Sequence, residues 1–271
     1  LYGLVPQAQL PARFKNFALN ELFGSAIRGN EKLRARATAD WRAHMRSIVK
    51  DEALREACTP DYELGCKRAL IAEDWYQTLV RDDVDLVTSG VEAIEAGGVR
   101  TADGELHELD VLVYGTGFKA TDFLTPMEVT GRGGLLLSER WKDRPTAYSG
   151  VSVSGFPNLF ILYGPNTNLG ANSIVYMLET QAAYITGLLA EAHRAGLSTL
   201  EVLGTAEDRW QAMIDAKSES TAWVTGCHSW YTADGRNTNN WPDATWRYRR
   251  ALSHPTLLDY DARPAPDEVH V

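Results

Sequence analysis

The stretch Asp110-Val-Leu-Val-Tyr-Gly-Thr-Gly-Phe118 decides the fold class of this sequence. Residues 111–114 form a continuous apolar run, which is typical of a strand buried on both faces of a parallel sheet. A second run, Leu159-Phe-Ile-Leu-Tyr163, is likewise followed directly by a glycine. We therefore expect two buried parallel-type strands that end in glycine turns, and an α/β fold.

Helical patterns precede the first run. Residues 12–50 are rich in Ala, Leu, Arg, Lys and Glu, and their apolar residues are spaced for one helical face. Gly24 and the Gly29-Asn30 pair interrupt this pattern, so we expect two helices. A strand-like stretch around residues 66–70 and a short helix over residues 74–79 follow.

Two more helices are predicted after the second run. Residues 172–195 have apolar residues every three or four positions and give the clearest helical pattern of the chain. Residues 206–220 predict a further helix. The candidate capping residues are Asn172 or Ser173 for the first of these helices, and Thr205 with Asp208 in capping-box positions for the second.

Short β runs lie between the early helices and the first apolar run. They are separated by Ser-Gly, Gly-Gly and Asp-Gly pairs, which favour tight turns between antiparallel strands. The sequence therefore predicts a small antiparallel meander. Its strands are expected at residues 84–88, 91–96, 99–102 and 105–109.

Composition excludes several classes of function. The net charge of -9 argues against a nucleic-acid-binding protein, which needs a basic face for the phosphates. We find no apolar run of the roughly 20 residues that a membrane span requires and no signal peptide, so we expect a cytoplasmic location. The three cysteines, Cys58, Cys66 and Cys227, have no metal-site spacing, and we expect reduced thiols and no metal.

Gly115-Thr-Gly-Phe-Lys-Ala120 matches the GxGxxG/A pattern of dinucleotide-binding loops. That fingerprint requires a helix to begin at once, so that its N-terminal amides meet the pyrophosphate. Residues 121–126 contain Pro126 and little helical pattern. We therefore interpret the match as a tight turn after a core strand.

Four motifs in the same order along the chain resemble those of Baeyer-Villiger monooxygenases. The run ending in Gly115-Thr-Gly117 looks like the second, ATG-like motif of flavoproteins with two dinucleotide-binding domains, with Gly115 where alanine is common. The other matching segments are Pro60-Asp-Tyr-Glu-Leu-Gly-Cys-Lys-Arg68, Gly155-Phe-Pro-Asn-Leu-Phe-Ile-Leu-Tyr-Gly-Pro-Asn-Thr-Asn-Leu169, and Ser229-Trp-Tyr231 followed by Asn240-Trp-Pro242.

The resemblance implies an enzyme that uses FAD, NADPH and O2 to convert a ketone into an ester or lactone. It implies that Lys67 binds the 2'-phosphate of NADPH and that Arg68 is the catalytic residue. The chemistry suits these roles, because an ammonium pairs well with phosphate and a permanently charged guanidinium can stabilise negative charge near the flavin. From the residues alone, a surface basic pair would be the expectation.

The remaining site residues are also implied by the resemblance. Trp230 would lie near the nicotinamide, although a core aromatic is an equally good interpretation. Leu169, Gly170 and Ala171 would line the substrate pocket, where small residues would leave room for a bulky ketone. The residues expected near FAD are Thr116, Gly117 and Phe118, together with Asn172, Ser173 and Ile174 at a helix start.

The resemblance also implies a division of the chain. Residues 1–66 would be a helical segment of the NADPH domain, residues 67–109 the end of that domain with the meander, and residues 110–271 the carboxy-terminal part of the FAD domain. The glycine-rich FAD and NADPH motifs and the FxGxxxHxxxWP signature of the family are not found. We therefore expect a partial flavoprotein whose partner is a missing amino-terminal half.

The sequence leaves two alternatives open. One is an N- or S-oxidising flavin monooxygenase of the same fold, which a comparison of ketone and amine substrates would separate. The other is a non-catalytic or complementing chain that pairs with a separate amino-terminal half, because an incomplete sheet exposes an edge and apolar surface.

Overall fold

The structure, a computed structural model, describes residues 9–117, 119, 122–224 and 231–264. The chain forms two compact units. The large unit consists of the described residues among 1–37, 62–69 and 120–271, and the small unit consists of residues 38–61 together with those described among 70–119.

Two long helices open the described part of the chain, as the sequence predicts. They are α1 (Gln9–Ile27) and α2 (Glu31–Ile48). The chain is divided at Gly29-Asn30, where Gly29 has a φ of 104° that favours glycine. The expectation that Gly24 also divides the helix is wrong: Gly24 lies inside α1, where a single glycine costs only about 1 kcal/mol.

The small unit contains two short helices and a three-stranded antiparallel sheet. The helices are α3 (Glu52–Ala57) and α4 (Trp75–Leu79), and the strands are β1 (Val91–Glu95), β2 (Gly98–Thr101) and β3 (Leu106–Glu108). A Cβ on Gly98 would lie 2.2 Å from the His107 carbonyl oxygen, so glycine permits the close approach of β2 and β3. The meander and the short helix are confirmed, whereas residues 84–88 form no strand.

The large unit is built around a long helix. Its further elements are α5 (Leu137–Arg140), α6 (Ile174–Arg194), β4 (Leu197–Val202), α7 (Gly204–Ser218), β5 (Thr232–Ala233), β6 (Arg236–Asn237), α8 (Thr245–Ala251) and β7 (Tyr260–Pro264). Strands β4 and β7 pair antiparallel with Val202 opposite Tyr260. Met177 and Leu188 of α6 are fully buried against Ile214 of α7 and Tyr248 of α8.

Both predicted buried strands are absent from the described structure. Residues 111–114 have no strand conformation, and Val111 and Val113 are 76% and 83% exposed. Residues 159–163 also form no strand, although Ile161 is buried at 5% exposure. A parallel strand requires neighbouring strands to complete its hydrogen bonds, and no described strand pairs with either run.

The capping box predicted for Thr205 and Asp208, at the start of the helix over residues 206–220, is wrong. Helix α7 begins at Gly204 after Leu203, and Leu203 as N-cap makes no side-chain hydrogen bond. Thr205 and Asp208 therefore lie inside the helix rather than in capping-box positions.

The expectation of reduced thiols fails for one cysteine. Cys66 is disulfide-bonded, whereas Cys58 is free. Cys227 lies outside the described residues. Sequence spacing does not report which cysteines become neighbours after folding.

The described residues contain no helix long and apolar enough to cross a membrane.

Candidate functional site

The segment that carries Lys67 and Arg68 is fixed by buried neighbours that precede it. Cys66 is 1% exposed. Gly65 has a φ of 98°, and a Cβ there would lie 2.8 Å from Cγ1 of Ile27, a buried residue at the end of α1. The strand predicted around residues 66–70 is not formed. A tight turn packed on α1 therefore presents the basic pair.

Both basic side chains of this pair are exposed. The Lys67 ammonium lies 4.4 Å from the ring centre of Tyr62, a cation–π distance. Burial raises the pKa of the Tyr163 hydroxyl, and the positive charge of Arg68 partly opposes that rise. Burial also raises the pKa of the Tyr231 hydroxyl, and the positive charge of Arg68 again partly opposes that rise. Arg68 therefore lies within electrostatic reach of both tyrosines.

The predicted substrate stretch lies on the same residue of α1. A Cβ on Gly170 would lie 3.0 Å from Cζ2 of Trp223 and 3.3 Å from Cδ1 of Ile27. Because Ile27 contacts both Gly65 and Gly170, the structure brings the arginine segment and the substrate stretch together.

A small cavity lies beside Gly170. The cavity there measures about 10 Å³, which is space for about one water molecule. The cavity is small because the Trp223 ring and the Ile27 side chain lie against Gly170. The cavity is lined by Gly24, Ile27, Arg28, Leu169, Gly170, Ala171, Asn172, Trp223, Trp241 and Thr245.

The start of α6 holds the three residues predicted to lie near FAD. Ser173 is the N-cap, but its side chain makes no capping hydrogen bond. Asn172 accepts a hydrogen bond from the Ser173 backbone N–H at 2.8 Å and donates its side-chain N–H to Glu21 at 2.9 Å. Ile174 is the first helical residue and is half-buried. The Tyr176 N–H donates to the Ser173 carbonyl at 3.2 Å. Because the N-cap side chain engages no amide of α6, the N–H groups of Ile174 and Val175 are available to a polar ligand edge.

Thr116 and Gly117 belong to the small unit. Both are exposed, and Gly117 has a φ of 79° with open space where a side chain would be. Glycine there permits a close approach to the backbone. Phe118 and Trp230 lie outside the described residues, so their predicted roles stay predictions.

Sequence reasoning missed a buried polar cluster behind the substrate stretch. Asn166, Asn168, Asn237 and Asn240 are all at most 3% exposed. The Asn168 side chain donates to the Asn240 side chain at 2.6 Å. Two asparagine-rich segments, Asn166-Thr-Asn168 and Asn237-Thr-Asn-Asn240, were the available signal.

No group of three or more His, Cys, Asp or Glu side chains in the described part of the chain could hold a metal ion.

Curated relatives match most of this chain, whereas no protein-family model matches it. A Baeyer-Villiger monooxygenase of Pseudomonas aeruginosa is 41% identical over 209 residues, which is 76% of this chain and 40% of that protein. One from Streptomyces coelicolor is 38% identical over 230 residues, 83% of this chain and 44% of that protein. A phenazine N-monooxygenase of Lysobacter antibioticus is 37% identical over 182 residues, 65% of this chain and 33% of that protein.

Solved structures of monooxygenases also resemble the fold of this chain. An oxidized steroid monooxygenase bound to NADP superposes with a TM-score of 0.78 at 27% identity, covering 87% of this chain and 46% of that one. Cyclohexanone monooxygenase from Rhodococcus sp. Phi1 bound to NADP+ gives 0.76 at 28%, covering 88% and 46%. OTEMO in complex with FAD and NADP gives 0.77 at 26%, covering 86% and 45%.

The chain spans less than half the length of each of these three curated relatives. Its fold is part of the two-dinucleotide-binding-domain flavoprotein fold, with the helical first segment and the small antiparallel meander predicted from the sequence. The order of its motifs and the likeness of its sequence and fold lead to one assignment. The chain belongs to the Baeyer-Villiger type of flavin-dependent monooxygenases.

Proposed function

We propose that this chain forms part of a monooxygenase that inserts one oxygen atom of O2 next to a ketone carbonyl and yields an ester or lactone. What supports the proposal is the setting of Arg68. Its guanidinium is exposed, forms no hydrogen bond or ion pair with the described residues, and acts electrostatically on Tyr163. A cation that structural contacts do not engage is available to stabilise developing negative charge.

FAD and NADPH are the proposed cofactors, by analogy with the neighbours that bind FAD and NADP. When bound, they supply the reducing equivalents and the activation of O2. The residues of this chain would bind and orient them. Lys67 would pair with the 2'-phosphate of NADPH, and Trp230 would lie at the nicotinamide end. The proposed FAD contacts are Thr116, Gly117, Phe118, Asn172, Ser173 and Ile174.

Leu169, Gly170 and Ala171 would contact the ketone. Because the space beside Gly170 is filled in this structure, substrate entry would require the Trp223 ring to move.

In the proposed enzyme, residues 1–66 and 67–109 would belong to the NADPH domain and residues 110–271 to the FAD domain. We place the enzyme in the cytoplasm.

The test uses the FAD-loaded holoenzyme and variants of the basic pair. We expect Arg68→Ala to lower ester formation about 100-fold or more, as for loss of an oxyanion-stabilising donor, while NADPH is still oxidised. Lys67→Ala should raise the KM for NADPH with little change in kcat. Arg81→Ala is the control, because Arg81 is an exposed arginine paired with Asp83 at 2.5 Å. Unchanged ester formation in Arg68→Ala would contradict the proposal.

A second candidate is oxidation of nitrogen or sulfur by the same fold. The likeness to a phenazine N-monooxygenase favours it. Turnover of matched panels of ketones, amines and sulfides by the holoenzyme separates the two. Oxygen transfer to amines or sulfides without ester formation from any ketone would support this second candidate.

A third candidate is a non-catalytic or complementing chain that pairs with a separate amino-terminal half. The exposed residues 111–114 support it, because an apolar run without partners favours association. Purification of this chain alone and together with an amino-terminal half of a relative is the test. Yellow colour and a stable complex only in the mixture would support pairing, and a colourless stable monomer in both would contradict it.

A further inference from the structure

A buried hydrogen-bond donor without a partner lies beside Gly170. The indole N–H of Trp223 has no partner among the described residues, although Trp223 is only 2% exposed. The indole atom Cζ2 is the atom nearest to a Cβ built on Gly170, at 3.0 Å. In an indole a single carbon joins this atom to the nitrogen. The edge of the Trp223 ring that carries the N–H therefore lies against Gly170.

A second unpartnered polar atom lines the same cavity. The hydroxyl oxygen of Thr245 also has no partner within the described part of the chain, and Thr245 is fully buried. Buried polar atoms are nearly always paired with protein or with an ordered ligand or water. Two unpaired atoms on the wall of one cavity therefore indicate that the cavity receives a polar group.

Helix α1 fixes the backbone next to both of these atoms. The Ala222 N–H, one residue before Trp223, donates to the Ile27 carbonyl at 3.1 Å. The Thr245 backbone N–H donates to the Glu21 carboxylate at 3.1 Å. The two side chains are therefore attached to backbone that is already held in place before a ligand enters.

The size and polarity of the cavity limit what it can receive. Its volume of about 10 Å³ is room for about one oxygen atom or one water molecule. An indole N–H only donates and a hydroxyl can donate, so the group must be an acceptor. Arg28 also lines the cavity, but its guanidinium lies 3.4 Å from the Glu21 carboxylate. Because that pair has no net charge, a neutral carbonyl oxygen fits better than an anion.

The carbonyl that reacts does not suit this cavity. Its carbon must stay open to the attacking oxygen, and a space for one atom does not allow that. Its oxygen also gains negative charge, which needs a cation that is free to stabilise it. The proposed cation is Arg68, which is exposed, whereas Arg28 is paired with Glu21.

We propose that the cavity beside Gly170 is a specificity subsite for a second carbonyl oxygen of the substrate, one that does not react. The Trp223 N–H and the Thr245 O–H donate to this oxygen, so the preferred substrates are ketones that carry another carbonyl group. The inference rests on the proposed function, which supplies the ketone. A shift of the Trp223 ring to admit the substrate breaks no hydrogen bond of its N–H, and the entering oxygen gives that donor a partner.

The kinetic test compares matched ketones in the FAD-loaded holoenzyme. The reference is a straight-chain monoketone, and the others are diketones of the same length whose second carbonyl lies progressively further along the chain. We expect kcat/KM for the best diketone to exceed that of the monoketone about tenfold, as two neutral hydrogen bonds would give. Thr245→Val and Trp223→Phe should each reduce this ratio to about threefold, since each removes one donor.

Two control variants remove buried donors that already have partners. The Thr180 hydroxyl donates to the Tyr176 carbonyl at 2.8 Å, and the Trp141 indole N–H donates to the Thr146 carbonyl at 2.8 Å. Thr180→Val and Trp141→Phe should keep the tenfold ratio.

Urea unfolding gives a second contrast between the two threonine variants. Thr180→Val should lower the urea midpoint because it breaks a hydrogen bond. Thr245→Val should not lower the midpoint, because the hydroxyl it removes has no partner.

A direct test follows the indole N–H by NMR in the same holoenzyme. The Trp223 resonance is the one that disappears in Trp223→Phe. We expect the best diketone to move its proton signal downfield, because the N–H gains an acceptor, and the monoketone to leave it in place. This measurement does not depend on turnover.

The outcomes separate the inference from the proposed function. If ketones are converted to esters, three results overturn the inference alone: equal kcat/KM for diketones and monoketone, an unmoved Trp223 resonance as for a permanently bound water, or an unchanged ratio in both Thr245→Val and Trp223→Phe. If no ketone gives an ester, the proposed function fails. The Trp223 resonance then still decides whether the cavity takes a carbonyl oxygen.

Discussion

Residues 111–114 and residues 159–163 share a sequence pattern but have different environments. Each is an apolar run that ends before a glycine, and each lacks strand conformation. In the first run Val113 is 83% exposed, whereas in the second Ile161 is 5% exposed and its N–H donates to the Val151 carbonyl at 2.8 Å. An apolar run therefore indicates a tendency to be buried. Whether it is buried depends on the other segments of the protein that pack against it.

The largest expected effect tests that difference directly. Ile161→Ala should lower the free energy of unfolding of the large unit by about 2–5 kcal/mol, because it leaves a cavity among Val153 and Phe156. Val113→Ala should change it by less than about 0.5 kcal/mol. Urea unfolding of both variants measures the contrast. Equal losses in the two would show that residues 111–114 are packed in solution.

The glycines that follow the two runs give the next comparison. A Cβ on Gly164 would lie 2.4 Å from the Gly150 carbonyl oxygen, whereas one on Gly115 would meet nothing within 4 Å. Gly164→Ala should therefore cost about 1–3 kcal/mol through overpacking. Gly115→Ala should be nearly neutral in thermal unfolding of this chain. A neutral Gly164→Ala would mean that the loop holding Gly150 relaxes freely.

Acid should weaken the contacts of Asp243, which lies just before α8 and pairs with Lys217. Burial raises the pKa of Asp243, but its hydrogen bond to Lys217 and its other contacts outweigh burial and set it below the ordinary 3.8. A lowered folded-state pKa gives stability above about pH 4 that is lost as the pH falls. The loss should be less than about 1 kcal/mol for this partly screened group.

Urea midpoints between pH 6 and pH 3 measure this contribution. The matched variant is Asp243→Asn, which lacks the carboxylate and should lose less stability over that range than the unaltered chain. An identical pH dependence in the two proteins would assign the acid sensitivity to other carboxylates.

The smallest expected effect on stability comes from charging the exposed run. Val113→Asp should leave the unfolding midpoint of this chain unchanged and reduce its self-association, because a charge interrupts exposed apolar surface. Light scattering against concentration measures the second effect. Val153→Asp is the contrasting variant, since Val153 is fully buried and a charge there should prevent folding.

Local signals predicted most of the helices and the meander from the sequence. Residues 172–195 carry a helical period and residues 91–109 carry turn pairs, and both act over a few neighbouring residues. The pairing of β4 with β7 was missed because its register joins residues about 60 positions apart. The two apolar runs were misjudged because the burial of a strand depends on neighbours that the run itself does not encode.

The candidate site also combines residues found through local sequence signals with contacts between distant residues. Lys67 and Arg68 were identified through a motif, but the contact of Gly65 and Gly170 with Ile27 joins three distant segments and has no local signal. In the sequence, Tyr163 is only the last residue of an apolar run. Its hydroxyl donates to the buried Asn168, which donates to Asn240, and neither contact has a local signal in the sequence.

One carboxylate near the start of the chain has a consequence for shortened versions of this protein. Glu21 of α1 accepts hydrogen bonds from Arg28, from the Asn172 side chain and from the Thr245 backbone N–H at the beginning of α8. Deleting α1 would remove both the acceptor of the first N–H of α8 and the partner of the Asn172 side chain just before α6. A shortened version of this protein that is meant to keep the N-terminal end of α6 intact must therefore retain α1.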